Sequence, residues 1–122
     1  MPWAVVTSGT RPVVAARLAA AGLPRPAVLI SAEDVTAGKP DPEPYQRAAT
    51  HLAVVGPLVA IEDAPAGITS ARAAGCTVVA LTTTHPAHAL HGAAKVLPDL
   101  RVLRLHPPPP PRPLATAPPP TH

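Results

Sequence analysis

The stretch "LVAIEDAPAGITSARAAGCTVVAL", residues 58–81, decides how this chain folds. It opens on a short apolar run, "LVAIE" (58–62), and closes on a second, "TVVAL" (77–81). Short continuous runs of this kind, with β-branched residues among them, suit strands buried on both faces. Between them a segment from about Ala66 to Ala74 places Ile68 and Ala71 at helical spacing, with Pro65 suited to the first turn. Strand, helix and strand in succession make a crossover unit, which joins parallel strands.

The same alternation extends in both directions. Upstream, "WAVVT" (3–7) reads as a strand bounded by the turn-like "SGT". "RPVVAARLAAAG" (11–22) reads as a helix with Val14, Leu18 and Ala21 on its inner face, Pro12 in its first turn and Gly22 at its C-terminal cap. "AVLIS" (27–31) is a second buried strand, followed by the turn-rich "AEDVTAGKPDP" (32–42). In "PEPYQRAATHLA" (42–53), Tyr45, Ala48, Ala49 and Leu52 line one helical face. Downstream of residue 81 a shorter unit follows, with a helix in "PAHALHGA" and a strand near "AKVL". The expected class is α/β, a Rossmann-like parallel sheet with flanking helices covering both faces. Ligands of such sheets sit at the carboxyl ends of the strands.

With 122 residues the chain holds at most one domain. From residue 106 it reads "HPPPPPRPLATAPPPTH", and because each proline removes a donor and fixes φ, this segment suits an extended polyproline conformation. The expected organisation is a folded part over residues 1–105 and a Pro-rich disordered tail over 106–122. The net charge is +3, carried by arginines scattered singly, and the aromatic residues are Trp3 and Tyr45 alone. Neither a basic block nor stacking platforms for bases are present, so a nucleic-acid partner is not expected. Apolar runs fall short of the roughly 18 residues a bilayer span requires, so no membrane partner is expected either. The single cysteine, Cys76, cannot form an internal disulfide and suits a small apolar packing role. Without a secretory signal pattern, the expected compartment is the cytoplasm.

Four strand ends carry polar residues: Thr7 with Ser8, Lys39 in the second loop, Glu62 with Asp63, and Thr82 to Thr84. Thr7 and Ser8 precede Gly9 and could equally bond a turn. Lys39 sits in "GKPDPEP", where residues before prolines are pushed away from helical geometry, so a stiff extended arm is expected. Such an arm would place a compact charge suited to phosphoryl oxygens, although a solvated surface lysine satisfies the same pattern. Asp63 could cap the helix that follows. Two carboxylates about 5 Å apart repel by about 3 kcal/mol at an effective dielectric near 20, a penalty that a nearby cation removes. Strand neighbours point to opposite faces, so both acids meet one ion only where the strand has ended. His85, His88 and His91, three apart in "HPAHALH", would share one broad face of a helix.

Taken together, "VVTSGT" (5–10), "GKPDPEPY" (38–45) and "IEDAPAGI" (61–68) resemble the second, third and fourth motifs of the haloacid dehalogenase-like hydrolases, and within them the sugar-phosphate and glycerol-phosphate phosphatases. The resemblance covers about residues 3–100. It implies that Thr7, helped by the Ser8 amide, holds the phosphoryl group, that Lys39 acts catalytically by neutralising its charge, and that Glu62 and Asp63 hold Mg²⁺ directly or through water. It implies a small phosphorylated substrate such as a sugar phosphate. The family's first motif, an Asp-x-Asp strand at the centre of the sheet between "WAVVT" and "LVAIE", has no match in these 122 residues, nor has the cap insertion that selects substrate. The expected chain is therefore an incomplete, N-terminally truncated member. It is expected to be inactive alone for want of a nucleophile, and the missing strand either leaves a gap in the middle of the sheet or forces "WAVVT" and "LVAIE" together, with marginal solubility expected either way. A non-catalytic remnant that binds phosphate or protein is the other expectation.

Overall fold

The computed structural model describes residues 2–102. The elements run β1 (Ala4–Val6), α1 (Arg11–Ala20), β2 (Val28–Ile30), α2 (Glu43–Leu52), β3 (Val59–Glu62), α3 (Pro65–Ala73), β4 (Thr77–Leu81) and β5 (Lys95–Leu97), with single 3₁₀ turns at Ala32–Asp34, Ala87–Ala89 and Leu100–Val102. The expected α/β alternation is present up to β4; between β4 and β5 the helix expected in "PAHALHGA" is a single 3₁₀ turn at Ala87–Ala89. The boundary at residue 105 and the Pro-rich tail lie outside the described residues.

The strands are all parallel but do not form one sheet. β1 pairs with β2 in the register Ala4↔Val28 to Val6↔Ile30. β3, β4 and β5 form a separate three-stranded sheet in that order. The interruption falls between β1 and β3, where the resemblance places an additional strand. Coverage on both faces also fails at β3. Its residues alternate, with Ala60 and Glu62 buried while Val59 and Ile61 are 56% and 36% exposed. That alternation marks a sheet packed on one side only, and β4 alone keeps the near-continuous burial expected of a central parallel strand.

The core forms where α3 lies on β3 and β4. Tyr45, Ala60, Ile68, Ala71, Val78, Ala80 and Leu90 make one cluster, with Val6 and Cys76 packed against it. Its small residues let backbones approach, and Ala71 and Ala80 are fully buried. Ile68, at 1% exposed, is the largest wholly enclosed side chain; burying such a group contributes about 1.5–3 kcal/mol. Cys76 packs as expected, and burial pushes its thiol pKa up, away from a reactive thiolate.

Helix ends follow the sequence signals closely. Gly22 takes φ of +68° just past α1, where a left-handed residue closes the helix and only glycine does so without strain. Ala21, expected on the inner face of α1, is exposed, as are Ala19 and Ala20 before it, so that Val14 and in part Leu18 carry that face. α2 ends instead on Ala53 in the left-handed region, and it carries the expected inner face, with Tyr45 and Ala48 buried. α2 packs against β1 and β2 and also touches α3, so it belongs to both halves of the molecule. Among the described residues, no helix is long and apolar enough to cross a membrane.

Candidate active site

The segment carrying Lys39 is a turn, not the extended arm expected from its prolines. Asp41 is the one residue between Pro40 and Pro42 that retains an N–H, and it donates to Gly38 O at 3.0 Å to close the turn. The Lys39–Pro40 peptide bond is cis. The Ser70 hydroxyl of α3 donates to Asp41 O at 2.6 Å, and Glu43 accepts from the Thr36 and Ala37 amides at 2.8 and 3.1 Å. These bonds fix the base from which the lysine projects.

Lys39 is not a solvated surface lysine. Its side chain is 13% exposed and its Nζ donates to Glu62 Oε1 at 2.7 Å and to the Val6 carbonyl at 3.1 Å. Val6 ends β1 and immediately precedes Thr7; Glu62 ends β3. The ammonium therefore stands at the carboxyl ends of two strands that are not paired with each other.

The Glu62 carboxylate is buried and shared. Oε1 accepts from the Tyr45 hydroxyl as well as from Lys39, and the Lys39 Nζ lies 5.5 Å from the centroid of the Tyr45 ring. Burial, and then the charge of Glu62, push the phenol's pKa far above its ordinary value, so it remains a donor. On the other side, α3 comes so close that a Cβ on Gly67 would stand 2.0 Å from Glu62 Oε2. This is one of the positions where only glycine permits the approach.

Asp63 is engaged elsewhere. The Thr84 hydroxyl, after β4, lies 2.9 Å from Asp63 Oδ2, and His85 Nδ1 lies 3.0 Å from the Asp63 carbonyl. Asp63 does not cap α3, whose N-cap is Ala64 without a side-chain bond. The cation beside Glu62 is Lys39, and Glu62 still belongs to β3 and keeps the face of Ala60, whereas Asp63 follows the end of the strand. Among the described residues no group of three or more His, Cys, Asp or Glu side chains is placed to hold a metal ion. Mg²⁺ favours a near-octahedral set of oxygens, and with Glu62 tied to Lys39 and Tyr45 the described residues do not by themselves fit it.

Thr7 and Ser8 follow β1 as expected. The Thr7 Oγ1 accepts from the Gly9 amide at 3.0 Å, a local turn bond, while Ser8 is exposed. The three histidines do not share a helix face, because only Ala87–Ala89 form a turn of 3₁₀ helix and His91 lies beyond it. Tyr45, expected only on the inner face of α2, and Gly67 shape the Glu62 environment without being among the expected site residues. The signal available was their position inside "GKPDPEPY" and "IEDAPAG", one buried phenol and one glycine near a helix start.

An interrupted parallel α/β sheet, with a partly buried lysine–glutamate pair at its strand ends, defines a protein of the Rossmann-like class. The chain belongs to the haloacid dehalogenase-like hydrolases, whose family model matches residues 1–75. It is 50% identical over 82 residues to hexitol phosphatase A of Escherichia coli (strain K12), covering 66% of this chain and 38% of that protein. It is 47% identical over 106 residues to validoxylamine A 7′-phosphate phosphatase of Streptomyces hygroscopicus subsp. limoneus, covering 85% and 50%. Among solved structures it is similar to CbbY from Rhodobacter sphaeroides in complex with phosphate, with a TM-score of 0.69 and 30% identity, covering 80% of this chain and 46% of that one. The chain thus spans half or less of the length of these relatives.

Proposed function

We propose that these residues are the C-terminal part of the core of a phosphatase acting on small phosphorylated metabolites such as sugar phosphates. The observation that carries this reading is the partly buried Lys39 ammonium, held by Glu62 and by the carbonyl just before Thr7. Phosphoryl transfer asks chiefly for positioning and charge stabilisation, which such a fixed cation supplies. The Thr7 hydroxyl and the Ser8 amide, at the adjacent strand end, would hold the phosphoryl oxygens. The relatives' names support a phosphate monoester as substrate. The scattered arginines support a small metabolite in place of nucleic acid or membrane, and a cytoplasmic location accords with it.

Mg²⁺, the cofactor that membership of the family implies, would need oxygen donors beyond those described; of the two expected acids, Asp63 is the one outside the Lys39 pair. The 122 residues contain no Asp-x-Asp sequence, so turnover would need a nucleophile from outside them. The test is phosphate release from an aryl phosphate with Mg²⁺. The 122 residues alone are expected to release none, and mixing with a separate chain that carries an Asp-x-Asp strand is expected to restore release. Turnover by the 122 residues alone that Asp63→Asn abolishes would overturn their inactivity. Phosphate binding without turnover on mixing would favour a non-catalytic remnant.

A further inference from the structure

Two donors from neighbouring positions converge on one oxygen. The Lys39 Nζ and the Tyr45 hydroxyl both donate to Glu62 Oε1, and the same ammonium lies 5.5 Å from the centre of the Tyr45 ring. Tyr45 therefore acts on Lys39 twice, once through the face of its ring and once through the carboxylate that its hydroxyl anchors. The opposite side of that carboxylate has no room to retreat, because Gly67 backs onto Oε2. Tyr45 is itself immobilised, at 9% exposed within the core cluster.

An ammonium has three N–H groups. Glu62 Oε1 takes one and the Val6 carbonyl a second. Among the described residues no third hydrogen-bond acceptor meets the ammonium. A flexible lysine paired with a flexible glutamate would swing between geometries. A carboxylate pinned by a phenol cannot follow it.

We propose that Tyr45 is a positioning residue, whose hydroxyl fixes Glu62 so that the Lys39 ammonium is preset between the ends of β1 and β3 with one N–H available to a phosphoryl oxygen. This rests on the reading of Lys39 as the group that neutralises phosphate. A tyrosine serving only to fill the core would need its ring and not its hydroxyl.

The chain has two lysines, Lys39 and the exposed Lys95, which makes a direct test simple. In the full 122-residue chain labelled with ¹⁵N-lysine, one slowly exchanging ammonium signal is expected, and it should persist in Lys95→Arg. Tyr45→Phe keeps the ring and should speed its proton exchange by about tenfold or more, the change expected from losing one hydrogen bond to a charged group, with the backbone amide spectrum intact. Glu62→Gln should abolish the protected signal. An unchanged exchange rate in folded Tyr45→Phe, or no protected ammonium in the wild type, would overturn the proposal. If Tyr45→Phe does not fold, incorporation of 3,5-difluorotyrosine alters this single tyrosine only; it should shift the Lys39 signal, and no shift would overturn the proposal. Titration with inorganic phosphate separates the two readings. A signal that phosphate leaves unmoved, even with a chain carrying an Asp-x-Asp strand and Mg²⁺ present, but that Tyr45→Phe still perturbs, removes the reading of Lys39 as the phosphate-neutralising group and retains Tyr45 as the anchor of the pair.

Discussion

The Lys39 ammonium meets the Glu62 carboxylate at 2.7 Å across the interruption between the two sheets. A loop residue reaches from the β2 side of the molecule to the last residue of β3, and it binds the last carbonyl of β1 on the way. Where a backbone ladder would ordinarily join neighbouring strands, a side chain does so at one end only.

Glu62→Gln preserves shape and removes the charge. With Glu62 7% and Lys39 13% exposed, the variant leaves a nearly buried ammonium without its counter-ion. Breaking such a pair costs about 3–5 kcal/mol, and the residual exposure of Lys39 places the expected loss near the lower figure. Urea unfolding measures it, and a loss below about 1 kcal/mol would show that the pair is solvated.

Gly67→Ala should destabilise the chain by about 1–3 kcal/mol, because the new methyl displaces a carboxylate that two donors hold in place. In a Glu62→Ala background the three nearest obstructing atoms are gone and the change gains helix propensity, so most of the cost should disappear. A double-mutant cycle read by chemical denaturation checks both values. Equal effects in the two backgrounds would refute the contact.

Tyr45 is the only tyrosine, so its ionisation can be followed by ultraviolet absorbance without overlap from another phenol. Its folded pKa is raised, first by burial and then by Glu62. Above about pH 10 the unfolded chain releases a phenol proton that the folded chain keeps. The unfolded state then binds fewer protons, so stability falls as pH rises. No phenolate should appear in the folded protein at pH 10–11, and it should appear together with unfolding. Titration at the ordinary pKa with the fold intact would contradict the buried contact.

Val59 and Ile61 line the open face of β3 at 56% and 36% exposed. Replacing both with threonine keeps the β-branch and removes apolar surface. The expected result is a higher soluble concentration, with stability changed by no more than about 0.5 kcal/mol per site. Static light scattering and denaturation together measure this.

Much of the architecture was legible because it rests on local patterns. β4 was placed at Thr77–Leu81 from its apolar run, and α3 within a residue of its ends from Pro65 and the spacing of Ile68 and Ala71. The absent motif pointed to a disturbed sheet centre but left a gap and a direct pairing of β1 with β3 equally open, and the strands take the gap. The surroundings of Glu62 were not legible. Its partners are 17 and 23 residues away in sequence, and a phenol on an inner helix face carries no sign of which polar atom it will meet. The turn at Lys39 was misread because the prolines around it say where helix is disfavoured. They do not say which remaining N–H will close a bond.

The interruption also governs which part of the chain gives way first. β1, α1 and β2 contribute few wholly buried apolar side chains, chiefly Val14 and Ile30, whereas β3, α3 and β4 hold most of the central cluster. With no ladder joining β1 to β3, the first half is tied to the second by α2, by the packing of Val6 and by the reach of Lys39. Local opening takes the least densely packed unit first. The segment from β1 to β2 is then expected to exchange and be cleaved first, carrying Thr7 and Ser8 away before Lys39 and Glu62 part from the core.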